Sequence, residues 1–301
     1  STAKDIALEV FINMNTNSKP LSTYDIIVAE IESIKGKSLH DLQDELDSKF
    51  PDIKCYFNLS YLILNTSALL QEKLPNQKGL WDMDKSEMVD KWELMEKGLN
   101  DMAIFLKNEG IIDHDRLPTN AVLAGIAALY PFIPDKGDKR GLYEVLLKKY
   151  LWSAFFTDRY ENSAATHAYY DYIALKRVIT EVKKESGLAY TDGDVPIFNR
   201  NSHPIASADE LILAGWPKRD TIRGKAILAV ACRLGSFDFA TGQRVERTNI
   251  SQRHYHHIFP DALLKEAEID SFLALNCALI TDDTNLNIGR KDPLKYLKDR
   301  Y

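Results

Sequence analysis

Cysteine is scarce and scattered: three in 301 residues, Cys55, Cys232 and Cys277, none in a CxxC pair. That excludes a disulfide framework and a structural zinc knuckle, and it predicts a reducing, cytoplasmic compartment. Long hydrophobic runs are missing too. The longest, Ala121 to Ile133, is too short to span a bilayer and contains Gly125 and Pro131, so no membrane segment is expected. No basic and apolar leader precedes the first helical stretch, and no signal peptide is expected. Low-complexity tracts and repeat periods are absent, and β-branched alternation is nearly so in the first 190 residues. An excess of basic charge is also lacking. The chain carries 38 Lys+Arg against 44 Asp+Glu, a formal charge of −6, which excludes histone-like binding of nucleic acid by bulk charge. Any nucleic-acid site must be a local basic patch. What remains is 45% hydrophobic, 10% aromatic and 27% charged, the composition of a globular protein with two domains or one large one.

What is present is mainly helical. Ala3 to Met14 places Ile6, Ala7, Val10, Phe11 and Met14 at helical spacing, and Ser22 is a candidate N-cap for a helix over Thr23 to Ile34. Amphipathic segments follow at about 39–49, 56–73, 85–109, 119–130, 141–157 and 163–186, separated by prolines and glycines. The pairs Phe155-Phe156 and Tyr169-Tyr170 and the tryptophans 81, 92, 152 and 216 are assigned to core or interdomain packing. From about residue 187 the texture changes. Turn residues and prolines lead into helical stretches at 206–213 and 221–234, and Phe237 to Val245 reads as a short hairpin around Thr241-Gly242.

Three of the seven histidines then fall within four positions, in His254-Tyr255-His256-His257-Ile258-Phe259-Pro260. Taken alone, these could be surface histidines or a satisfied core pair. A second block, Asn276 to Pro293, sets Asn276 and Asn285 nine residues apart across an apolar strand-like run and a turn. Thr284 or Asp283 is a candidate cap for a helix carrying Asn285 in its first turn.

His-His, then Asn, then a third polar residue nine further on, in strand–loop–strand–helix order, resembles the HNH (ββα-metal) nuclease motif. The string HHIFP…LNCALITDDTNLNIGRKDPLKYL is similar to the C-terminal nuclease domain of GmrSD-type restriction proteins, in which the last His of HNH is often Asn. ALEVFINMNTNSKPLSTYDIIVAEI resembles the end of that family's ParB-like N-terminal domain, and FFTDRYENSAATHAYYDYIAL and FDFATGQRV its connecting helices and nuclease hairpin. The family's Asp-Gly-Gln-Gln-Arg motif does not occur, so nucleotide-dependent control is not assigned here. The resemblance implies a mainly α chain: a ParB-like remnant over 1–35, a helical domain over 36–190, and an HNH nuclease domain with its helical lead-in over 191–301.

The resemblance also implies the site. His257 would be the general base that deprotonates the attacking water, a task suited to a group titrating near neutrality. His256 and Asn285 would hold one divalent cation, and a His plus an amide oxygen completed by water suits Mg²⁺ or Mn²⁺. Asn276 would orient the loop that carries His257. Gly289, one turn after Asn285, cannot bind a metal, so the shell is completed by water, by His254 or by Asp238. Arg290, Lys291 and Arg253 are candidate phosphate contacts, in a tail from Asn285 to Tyr301 of net charge +3. Residues 241–301 balance nine basic against nine acidic residues, so the whole deficit lies upstream. The expected partners are DNA, an N-terminal sensor or NTPase domain, and a second copy of the chain; no membrane is expected. Two rival functions remain at this point: an HNH-like module that grips DNA without cutting it, and a helical interaction domain whose histidines bind a structural metal.

Overall fold

Periodicity becomes helix over most of the chain. The computed structural model describes residues 23–35, 38–181, 190–218, 221–289 and 291–298. The expected helix over Ala3 to Met14, the cap Ser22 and the phosphate candidate Arg290 lie outside those residues. Among the described residues, nine helices form the first part: α1 (Thr23–Lys35), α2 (Leu39–Lys49), α3 (Leu59–Leu70), α4 (Gln77–Trp81), α5 (Lys85–Asp90), α6 (Trp92–Asn108), α7 (Leu123–Leu129), α8 (Asp138–Phe156) and α9 (Ala164–Glu181). Side-chain caps start several of them. Ser38, Asn58 and Asp84 each accept the backbone N–H three residues on, satisfying one of the orphan donors of a first turn. The single helix expected over 85–109 is two, because Lys91 (φ −96°, ψ 12°) leaves helical geometry.

Two helices are buried on nearly all sides and form the centre. Every residue of α7 is buried, and so is almost every residue of α3. Helices α6 and α7 approach closely at Gly98, where an added Cβ would stand 2.2 Å from the Ala127 carbonyl oxygen. Gly98→Ala is therefore expected to cost about 1–3 kcal/mol, checked by urea unfolding. A buried polar pin fastens the turn after α8 to α9. Asp171, fully buried, accepts from Arg159 (3.0 and 3.1 Å), from the Tyr160 hydroxyl (2.7 Å) and from the Ile197 N–H (3.1 Å). Phe155 is core as expected, but Tyr170 is exposed, the outer member of its pair.

The second part begins with α10 (Ala208–Ile212), closed by a Ser207–Glu210 capping box, and α11 (Ile222–Leu234), ended by Gly235 at φ 96°. The expected hairpin is a tight turn with one bridge, Phe237 to Arg244. Strand β1 (Arg253–His257), α12 (Asp261–Glu266), β2 (Cys277–Thr281), α13 (Asp282–Ile288) and α14 (Pro293–Lys298) follow. The strands pair antiparallel with His257 opposite Cys277 and Arg253 opposite Thr281.

This end is locked to the helices before it. Ile112 packs among Leu228, Cys232, Val245, Ile250 and Leu279, with Tyr255 against them. Glu109 accepts from Trp152 (2.8 Å) and Arg233 (2.6 Å), and Arg247 pairs with Asp52. Gly110, at φ 78°, lies where a Cβ would come within 2.8 Å of the Arg233 Cα. Among the described residues, no helix is long and apolar enough to cross a membrane.

Candidate functional site

Strand alternation sends Arg253, Tyr255 and His257 to one face of the two-stranded sheet and His254 and His256 to the other. Helix α13 packs against both strands, and its Asn285 side chain lies close enough to the His256 ring to favour the charged form of that ring. The two residues expected to share a cation are thus neighbours. On the other side, the His257 ring stacks on Trp216 at 4.4 Å between centroids and meets the edge of Phe272 at 4.9 Å. Trp216 is held there by its own backbone: Gly215 bridges Leu273, and the Ala274 N–H donates to the Ala214 carbonyl (2.8 Å).

The Nε2 atoms of His256 and His257 are both buried, and neither has a hydrogen-bond partner. A buried imidazole nitrogen with no protein partner costs about 1–3 kcal/mol, so each ring has an Nε2 suited to a cation or a proton. Burial lowers the pKa of each ring. For His256 the neighbouring His257 lowers it further while Asn285 opposes; for His257, Asp261 opposes. Both rings are therefore neutral at neutral pH, with a lone pair to offer a cation or a proton.

Asn276 fixes the chain just beyond His257. Its Oδ1 accepts the Phe259 N–H (2.7 Å), and its Nδ2 donates to the carbonyls of Phe259 and Ser271 (both 3.0 Å). Its own carbonyl accepts the Ile258 N–H (2.8 Å), and the Tyr296 hydroxyl donates to the Ile258 carbonyl (3.1 Å). All four backbone polar groups of Ile258 and Phe259 are thereby occupied, so the segment leaving His257 has one conformation.

Neither the family scan nor the search of curated proteins produced a match. What the site can do rests on its geometry.

Several expected residues stand elsewhere. Arg253 is not offered to a phosphate: its side chain is fully buried, bonded to Asp238 (3.0 Å) and to the Gln243 amide oxygen (2.8 Å). Asp238 is not free for a cation either. It accepts from Arg253, from the N–H groups of Ala240 and Thr241 (both 2.9 Å) and Thr281 (2.8 Å), and from the hydroxyls of Thr281 (3.2 Å) and Thr284 (2.6 Å). Burial would raise its pKa, but the bonds from Thr284, Thr281, Thr241 and Ala240 together win and hold the carboxyl well below the usual carboxylate range. Asp238 is instead the pin joining the hairpin, β1, β2 and α13.

His254 pairs with Asp282 at 3.1 Å, an exposed contact. The cap of α13 is Thr281, not Thr284 or Asp283, which places Asn285 fourth in that helix. Gly289 ends it at φ 54°, a backbone conformation that favours glycine, so the position after Asn285 serves helix termination. Lys291 is exposed. Among the described residues, no three His, Cys, Asp or Glu side chains gather as a metal site.

The residues that sequence patterning passed over are Arg116, Trp216, Lys218 and Lys225. They line one cleft of about 790 Å³ with His257 and Tyr255. Of these, sequence patterning singled out Trp216 alone, and assigned it to packing.

Proposed function

We propose that the chain is a metal-dependent DNA endonuclease of the HNH type, the nuclease part of a GmrSD-like restriction or anti-phage protein. One observation carries the reading. Two adjacent strand histidines present buried, unpartnered Nε2 atoms, His256 near an Asn from the following helix and His257 on the other face against Trp216, while a second Asn clamps the loop between the strands. The order over 253–288, a strand, a connection containing α12, a second strand and a helix, is compatible with a ββα-metal unit.

The donor set fits a hard divalent cation held largely by water. His256 and Asn285 would hold Mg²⁺ or Mn²⁺, and neither is a thiolate that would select zinc. When bound, such a cation supplies charge stabilisation at the scissile phosphate and the leaving oxygen. The rest falls to the chain's own groups. His257, neutral and braced by Trp216 and Phe272, takes the proton of the attacking water. Asn276 holds the loop so that the ring keeps its direction, and positioning of that kind supplies part of the rate. The proposed setting is the cytoplasm, with DNA as substrate and an N-terminal sensor or NTPase domain, or a second copy, as partner.

The test uses plasmid DNA with Mg²⁺ or Mn²⁺, and metal-dependent nicking is expected. Asn285→Ala should weaken Mn²⁺ binding by about tenfold or more while leaving DNA affinity in EDTA within about twofold. Calorimetry and fluorescence anisotropy check the two arms, and equal loss in both would remove Asn285 from the cation.

A second reading has its own observation. With no three His, Cys, Asp or Glu side chains gathered among the described residues and a helix-ending glycine one turn after Asn285, the unit would grip DNA without cutting it. Binding that persists while wild type and His257→Ala are equally inert would select it.

A further inference from the structure

We propose that Phe272 is a stacking platform for an unpaired base of the DNA next to the phosphate that is cut, so that the cleft beside His257 takes single-stranded or locally opened DNA. The proposal rests on the endonuclease reading for the chemistry at His257 and adds to it the form of the substrate.

The first support is elimination among the aromatic rings of the cleft, Trp216, Tyr255 and Phe272. Trp216 is 6% exposed, and its face lies on His257. Tyr255 is half-buried, with the Arg116 guanidinium 5.4 Å from its ring centre. Phe272 is 42% exposed and offers the most ring surface of the three to a ligand.

Position is the second support. The Phe272 ring stands at 88° to His257 and 73° to Trp216, with centroids 4.9 and 5.7 Å away. Nearness to both rings at these angles puts it alongside the stacked pair, at the flank of the candidate base. One strand of DNA advances about 3.4 Å per nucleotide, so a base on Phe272 belongs to a nucleotide beside the phosphate that meets His257.

The third support is a fixed backbone on both sides. The Phe272 N–H donates to the Asp270 carboxylate (2.9 Å), and the Ser271 carbonyl accepts from Asn276 (3.0 Å). Beyond it, Leu273 bridges Gly215, and the Ala274 N–H donates to the Ala214 carbonyl (2.8 Å). An aromatic side chain presented in this way loses little freedom when a base lands on it.

Charge in the cleft is largely spent. Arg116 pairs with Asp113 and Arg253 with Asp238, and Lys225 is engaged as well. Lys218 is left as the unpaired cation of the lining among the described residues. Stacking, which any base provides through its π-face, is then the contact this lining favours. A base inside a duplex has both faces covered by its neighbours, which is why the substrate must be unpaired there.

The experiment measures anisotropy in EDTA of two labelled single strands of equal length, one of oligo-dT and one abasic. Wild type is compared with Phe272→Leu, which keeps apolar bulk without a ring, and with Phe272→Trp, which keeps a ring. Wild type should bind oligo-dT about tenfold more tightly than the abasic strand. Phe272→Leu should lose most of that preference and Phe272→Trp should keep it, with the salt dependence alike in all three because no phosphate contact is removed. Leu263→Ala, exposed on α12 and outside the cleft lining, should bind as wild type does. Thermal melts confirm folding. Phe272→Trp adds a second readout, since oligo-dT should quench its fluorescence beyond that of wild type and the abasic strand should not.

A preference retained in folded Phe272→Leu, or no added quenching in Phe272→Trp, would overturn the platform even if wild type cuts DNA, and the endonuclease reading would then stand alone. A wild type that binds both strands equally, or neither, also overturns it. Loss of affinity in Phe272→Leu that is as large for a fully paired duplex would overturn the need for an unpaired base. The expected pattern in a wild type that cuts nothing with Mg²⁺ or Mn²⁺ would support the platform and overturn the reading.

Discussion

His257→Ala is expected to lower metal-dependent cleavage by about 10²–10⁴-fold, the usual contribution of a positioned general base. Duplex affinity in EDTA should stay within about twofold of wild type, because charged side chains on the phosphates, not a neutral ring, dominate duplex affinity. The separation follows from the ring's surroundings. Stacking on Trp216 and the edge contact with Phe272 leave it half-buried, and that burial lowers its pKa and favours the neutral ring, which has a lone pair but no charge to attract a phosphate. Single-turnover nicking of plasmid DNA measures the first quantity and anisotropy the second. Equal cleavage by the two proteins would take the role of base from His257.

Asp238→Ala is expected to cost about 3–5 kcal/mol of unfolding free energy, measured by urea titration. Removing the carboxylate leaves the Arg253 guanidinium buried without its counter-ion, and the N–H groups of Ala240, Thr241 and Thr281 without their acceptor. Because Ile112, Glu109 and Asp52 tie this end to the helices before it, the loss should appear in the main transition. Replacing Asp238 and Arg253 together with apolar residues should cost less than Asp238→Ala, since no uncompensated charge remains.

The same carboxylate makes a statement about pH. Its folded pKa lies below the ~3.9 of an unfolded Asp, so its stabilisation is complete above that value and is lost as the pH falls from there toward the depressed pKa. The gap in unfolding free energy between wild type and Asp238→Asn should therefore narrow between about pH 6 and about pH 2. A constant gap would mean that the folded carboxyl titrates as it does in the unfolded chain.

Much of the helical architecture was legible because a buried helical face needs apolar residues three and four apart, and 39–49, 141–157 and 163–186 have them. Helix breaks were less legible. Lys91 carries no glycine or proline signal, and its departure from helical geometry divides the expected 85–109 helix. At the site, the adjacent histidines and the Asn276–Asn285 spacing could be read directly, since alternation along a strand and the pitch of a helix are local properties.

The roles of Arg253 and Asp238 could not be read in that way. An arginine beside a histidine cluster has the same local appearance whether it meets a phosphate or a buried aspartate. The choice was made by a turn fifteen residues upstream that brings the Asp238 carboxylate to the guanidinium.

By itself, then, the sequence determined a mainly helical chain ending in a histidine-bearing strand, a second strand and a short helix with Asn285, because hydrophobic periodicity and capping act over a few residues. Only the tertiary structure decided what surrounds the histidines. It placed Trp216 on His257, removed Arg253 and Asp238 from the surface, and set Arg116, Lys218 and Lys225 along one cleft. Those contacts join segments far apart in the chain, and no local pattern specifies which distant side chains will share a surface.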